Sequence, residues 1–194
     1  MLKIMLYIYI TYLYKMIISG FPGIGKSTLA GTDQNILDLD SAGFSWCPGD
    51  KASDSRVQQL IDRHSSCDKN QTNRERNPNA TSDYTNAILT AMSSNKYKYI
   101  FVSTHENTRK WLFENNIPFI LVYPAKNRKE EWKENLFRRG TIGLANFLYN
   151  NWDNNIDLIG GLESDEYASK KIVLQYPKFL ADYKDQLSFP KLKL

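Results

Sequence analysis

The chain has 194 residues, 42% of them hydrophobic and 24% charged, with a formal net charge of +4. That length suffices for one well-buried core, and the composition argues against wholesale disorder. The mild positive charge suits phosphate-bearing ligands but is spread along the chain, so nucleic acid is not the favoured partner. Cys47 and Cys67 form no C-x-x-C pattern, which indicates neither a zinc site nor a disulfide framework and fits a reducing, intracellular setting.

Residues 1–15, MLKIMLYIYITYLYK, are nearly all apolar or aromatic. Lys15 cuts this run short of the roughly twenty apolar residues that a membrane-spanning helix needs. The small residues of a signal-peptide cleavage site are also missing, so no membrane partner is expected. Ile8, Ile10, Tyr12 and Tyr14 have β-type character. The run therefore reads as a hydrophobic extension of the first strand, or as an upstream leader with the working start near Met16; the remaining residues, 16–194, read as one domain.

Met16-Ile17-Ile18 feeds Gly20-Phe21-Pro22-Gly23-Ile24-Gly25-Lys26-Ser27-Thr28, a full match to G-x-x-x-x-G-K-[ST]. Backbone N–H groups from Pro22 to Ser27 can curl around phosphate oxygens, and glycines at 20, 23 and 25 let the backbone approach them closely. Lys26 can reach β- and γ-phosphates, Ser27 offers a hard oxygen to Mg²⁺, and Thr28 caps the helix or faces the nucleotide. ATP and Mg²⁺ are the ligands this motif implies.

A helix is predicted over 26–31, a turn over 32–35 and a second strand over 36–40. Alternation along that strand puts Asp38 and Asp40 on one face and Leu37 and Leu39 on the other. Two carboxylates beside a phosphate-binding turn can hold Mg²⁺ through water or take a proton from an attacking hydroxyl; the alternative is a pair of solvated acids at a strand end. Residues 41–82 read as a polar insertion covering substrate, with its tip near 66–80 and one short helix carrying Val57, Leu60 and Ile61. Phe44 and Trp46 either stack on a planar substrate or pack the insertion onto the sheet.

The next predicted elements are a helix over 83–92 and a buried strand over 97–102, which ends in Ser103-Thr104-His105-Glu106. An acid normally stands at that strand end, so the Mg²⁺ charge falls to Asp38 or Asp40. His105 either caps the next helix, 107–115, or meets substrate, and Arg109 is placed to reach a substrate phosphate. A fourth strand follows at 119–122. Helices over 127–137 and 144–152 flank Arg138-Arg139-Gly140. Their basic turn, within a lid of about 126–143, would let Arg128, Arg138 and Arg139 spread charge over a transferring phosphoryl group. A loop over 156–168, a fifth strand over 171–174 and a helix over 177–187 complete an α/β chain whose strand-helix rhythm implies parallel pairing.

In the turn Gly20 to Thr28, the Asp38-x-Asp40 strand end and the arginines 138 and 139, the chain resembles the small P-loop kinases. That group holds nucleoside monophosphate, shikimate, gluconate and polynucleotide kinases, and the chain is also similar to phage-type proteins described as nucleotide kinase-like. The resemblance implies a three-layer P-loop fold, with a five-stranded sheet of order 2-3-1-4-5 and helices on both faces. It also implies an ATP-dependent phosphotransferase acting on a small acceptor, a nucleotide or nucleoside first. Asp38-Leu39-Asp40 looks like the acid pair that shikimate and gluconate kinases place around Mg²⁺ and the acceptor hydroxyl. The Asp-Gly-x-Pro-Arg segment of ordinary nucleoside monophosphate kinases is replaced by Ser103-Thr104-His105. Two alternatives stand beside this expectation. One is a kinase of nucleic-acid ends or modified bases, suggested by Arg56, Arg63, Arg74 and Arg76. The other is a nucleotide-binding module without catalysis, suggested by the missing acid.

Overall fold

The structure, a computed structural model, describes residues 15–45, 76–94, 96–156 and 161–188. Trp46, the insertion arginines 56, 63 and 74, the short helix around Val57 and nearly all of the N-terminal apolar run lie outside the described residues.

Five parallel strands form one sheet in the order β2-β3-β1-β4-β5. They are β1 (Met16–Gly20), β2 (Ile36–Asp38), β3 (Tyr99–Val102), β4 (Phe119–Pro124) and β5 (Lys170–Leu174). The three central strands are continuous apolar runs because both their faces are covered, as parallel sheets require. Ile18 of β1 sits between Phe101 of β3 and Ile120 of β4, and all three are fully buried. The edge strands are less apolar, and β5 opens with Lys170 and Lys171, charges that discourage pairing with another chain.

The helices are α1 (Lys26–Ala30), α2 (Ala42–Ser45), α3 (Ala80–Ser93), α4 (Glu106–Glu114), α5 (Lys129–Arg138), α6 (Ile142–Asn150) and α7 (Trp152–Ile156). Short 3-10 helices occupy Lys126–Arg128 and Leu180–Gln186. Along the chain, β1 steps one way across the sheet to β2, and β3 steps the other way to β4. This reversal opens a crevice at the carboxyl ends of β1 and β3, the place where open parallel sheets bind ligands.

Expectations about elements need correction: the second strand is shorter than 36–40, ending at Asp38. The helix expected over 144–152 is two helices, α6 and α7, broken at Asn151. The break lets Trp152 turn inward, where it is buried and its indole N–H donates to the Lys126 carbonyl at 2.9 Å. The closing helix is a 3-10 segment shorter than 177–187, held at its start by the Asp182 carboxylate, which accepts from the Phe179 N–H at 2.7 Å.

Among the described residues no helix is long and apolar enough to cross a membrane. Lys15, the last residue of the apolar run, donates to the carbonyls of Met92 and Ser94 at the end of α3.

Candidate functional site

The turn between β1 and α1 is shaped by its glycines. Gly23 and Gly25 have φ of 87° and 100°, a region where a Cβ would crowd the following carbonyl. Gly20 is needed for proximity instead, since a Cβ there would lie 2.7 Å from Ile24 Cδ1 and 2.9 Å from Lys26 Cδ. Lys26 folds back over the turn and its Nζ donates to the Gly20 and Phe21 carbonyls at 2.7 and 3.1 Å. Ser27 and Thr28 are exposed beyond it.

Distant elements brace the turn. The Trp132 indole on α5 donates to the Pro22 carbonyl at 2.8 Å, and the Leu180 N–H donates to the Ile24 carbonyl at 3.0 Å. Trp132 stacks on Phe179 with centroids 5.7 Å apart, and Phe21 meets both Trp132 and Trp152 edge-on. Arg128 lies over the Trp132 and Phe179 rings.

Asp38 turns toward this loop, and Asp40 lines the cleft beside it. Asp38 Oδ2 accepts from Ser27 Oγ at 2.6 Å, while Asp38 Oδ1 is buried with no hydrogen-bond partner. β2 ends at Asp38, so Asp40 stands just beyond it. Its Oδ1 accepts from the Ala42 N–H at 2.9 Å, capping α2. Leu37 and Leu39 are buried on the opposite side. Among the described residues no group of three or more His, Cys, Asp or Glu could hold a metal. Ser27 and Asp38 are hard oxygen donors, one with a vacant buried oxygen, and they fit Mg²⁺ completed by phosphate oxygens and water.

The end of β3 is tied to its neighbours. Ser19 Oγ donates to the Ser103 carbonyl at 2.9 Å. The buried Tyr84 hydroxyl of α3 donates to the Leu39 carbonyl at 2.9 Å and accepts from the Ser103 N–H at 2.8 Å. One phenol thus fixes the spacing between the ends of β2 and β3, and burial raises its pKa. His105, at the start of α4, is exposed. Desolvation by the surrounding protein holds its imidazole below the ordinary value; Asp40 opposes this, while Arg76, Arg109 and Lys26 add to it.

Two clefts flank the turn. The larger, about 720 Å³, runs past Asp40, Tyr84, Ser103 and His105 to a far wall built by α6 and α7. The smaller, about 560 Å³, is lined by residues 23–29 of the turn and α1, Asp38, Asn135, Arg139 and Phe179. Lys26 and Asp40 belong to both.

The arginines divide. Arg139 lies in the smaller cleft beside the turn. Arg138 does not accompany it: its side chain is 77% exposed and lies 3.5 Å from Glu134. Arg128, expected on a lid, is 2% exposed and acts as a staple. It bonds Glu131 and the carbonyls of Leu174, Gln175 and Lys178. Arg109 lines the larger cleft, but its guanidinium is engaged by the buried Asp165 carboxylate rather than held out to a ligand.

Sequence reasoning did not single out Tyr84 or Trp132, the two side chains that brace the turn and the strand ends. Nothing in the sequence said that the Tyr84 hydroxyl would join the ends of β2 and β3 or that Trp132 would reach back to Pro22. Comparison with family models, with curated proteins and with solved structures finds no match for this chain.

Proposed function

We propose that the chain is a P-loop phosphotransferase, moving the γ-phosphoryl group of Mg·ATP from the smaller cleft to a small acceptor in the larger one. The observation that carries this reading is that the clefts meet at one cation and one carboxylate, Lys26 and Asp40. A donor phosphate lying along the turn would present its end to an acceptor hydroxyl at that junction. Mg²⁺, when bound through Ser27 and Asp38, supplies neutralisation of phosphate charge. Asp40 orients the hydroxyl and takes its proton as the oxygen–phosphorus bond forms and the bond to the departing ADP oxygen breaks. Lys26 leaves the Gly20 and Phe21 carbonyls for the phosphates, and Arg139 adds charge beside the turn.

Purified protein incubated with ATP, Mg²⁺ and a panel of nucleosides, nucleotides and sugar acids is expected to form ADP with at least one acceptor. ADP at background with every member of the panel would sink the proposal. Asp40→Asn keeps an oxygen to cap α2 and removes only the charge. It is expected to lower turnover by about 10²- to 10⁴-fold while ATP affinity, measured by calorimetry, stays near that of the unaltered protein.

A second reading, a nucleotide-binding module without catalysis, draws on the hydroxyls and imidazole at the end of β3 where an acid would serve Mg²⁺. It expects ATP to bind and stabilise the fold yet stay intact with every acceptor.

A further inference from the structure

The clefts open at the carboxyl ends of β1 and β3. The opposite edge of the sheet, where these strands begin, carries a different chemistry. Lys15 precedes β1 and donates to the Met92 and Ser94 carbonyls at the end of α3. Lys98 precedes β3; its carbonyl accepts from the Met16 N–H at 2.9 Å, and its own N–H donates to the Asn35 carbonyl at 2.8 Å. Lys96 and Lys98 are exposed, each ammonium 5.2 Å from the ring centre of the tyrosine that follows it, Tyr97 or Tyr99. Two acids at the same edge, Asp33 before β2 and Glu114 at the end of α4, already lie beside Lys184 and Lys110. They therefore leave the charge of Lys15, Lys96 and Lys98 standing.

Upstream of this edge the chain continues as residues 1–14. Twelve of these fourteen are apolar or aromatic, four of them tyrosines, and Lys3 is the one charged side chain. Such a run is too short to cross a bilayer but long enough to lie on one. Tyrosine rings favour that boundary layer because each has an apolar body and a polar tip. Burial of apolar area and attraction of lysines to anionic headgroups add to one another. The attraction fades within about 8–10 Å, so the contact between Lys98 and Met16 matters: the cations stand where the apolar run joins the fold.

We propose that residues 1–14, with the rim of Lys15, Lys96 and Lys98, dock the protein on an anionic lipid surface. The docking edge is opposite the crevice, so both clefts stay open to their ligands. This surface is independent of what the clefts bind.

The test is flotation of the full chain with lipid vesicles on a density gradient, which separates vesicle-bound protein from aggregates. Vesicles of phosphatidylcholine mixed with phosphatidylglycerol are expected to carry the protein upward. Phosphatidylcholine vesicles, or the mixed vesicles at high salt, are expected to carry about tenfold less. Lys96→Glu combined with Lys98→Glu leaves the apolar run intact and is expected to lower binding to mixed vesicles by about tenfold or more. Ile8→Asp combined with Ile10→Asp leaves the lysines intact and is expected to abolish flotation. Urea unfolding midpoints check that both variants keep the fold. Should the lysine variant unfold, the salt and lipid comparisons on the unaltered chain decide alone.

Protein that stays at the bottom of the gradient with mixed vesicles overturns the proposal, and a dimer on gel filtration would then show that a second copy covers the run. Equal flotation with neutral and mixed vesicles, unchanged by salt or by charge reversal at 96 and 98, overturns it as well, since the run would then partition without the rim. No step of the test involves ATP, so its failure and that of the phosphotransferase reading are told apart.

Discussion

His105 illustrates how much a residue's role depends on what surrounds it. Desolvation is the main cause that holds its imidazole below the ordinary value, with Arg76, Arg109 and Lys26 reinforcing the effect against Asp40. In the window between that lowered value and the ordinary one near pH 6.5, the unfolded chain binds more protons than the folded chain. Stability therefore rises with pH through this window and is lost as pH falls through it. Unfolding midpoints measured from pH 7.5 to 5 should decline, and His105→Gln should flatten part of that decline. An unchanged slope would mean that the imidazole is not held neutral.

At the scale of elements, two side chains hold the site together from a distance. Tyr84 on α3 bonds the ends of β2 and β3 at once, so Tyr84→Phe leaves the Ser103 N–H and the Leu39 carbonyl without that partner. Each unsatisfied group costs about 1–3 kcal/mol, and urea unfolding should show a loss in that range or above. Trp132 performs the equivalent task for the turn. Trp132→Phe keeps an aromatic ring between Phe21 and Phe179 but removes the bond to Pro22, with an expected cost of about 1 kcal/mol. On the phosphotransferase reading, if the brace positions the turn as well as stabilising it, the KM for ATP should rise while the KM for the acceptor stays constant. Equal changes in both would reduce Trp132 to a packing role. The helical pair α5 and α6 is accordingly not a free lid over its whole length: Arg128 and Trp132 anchor its root, and Arg138 and Arg139 sit at its exposed end.

For the whole molecule, the ion pair between Arg109 and Asp165 links the first turn of α4 to the segment before β5. Their side chains are 2% and 0% exposed, and Asp165 Oδ1 also accepts from the Tyr167 and Ala168 N–H groups at 3.1 and 2.9 Å. Breaking a buried pair by removing one charge costs about 3–5 kcal/mol. Asp165→Asn should therefore lower the unfolding free energy by an amount of that order, read from chemical denaturation. Replacing both members with a hydrophobic pair should recover much of the loss. Full stability in the single variant would show that water or another group compensates Arg109.

The glycine turn between β1 and α1, the strand runs and the inward positions of Leu37 and Leu39 were legible from residue order, because each depends on local spacing: glycines where φ is positive, apolar runs where a strand is covered on both sides, alternation where one face is buried. The position of Asp38 beside the turn was legible for the same reason, while Asp40 lies past the end of β2, where it bonds the Ala42 N–H. The destinations of the arginines were not. A guanidinium reads alike whether it faces solvent, a phosphate or a buried carboxylate, and only the packing of segments far apart in the chain placed Arg109 on Asp165, buried Arg128 among carbonyls and rings, and left Arg139 at the cleft.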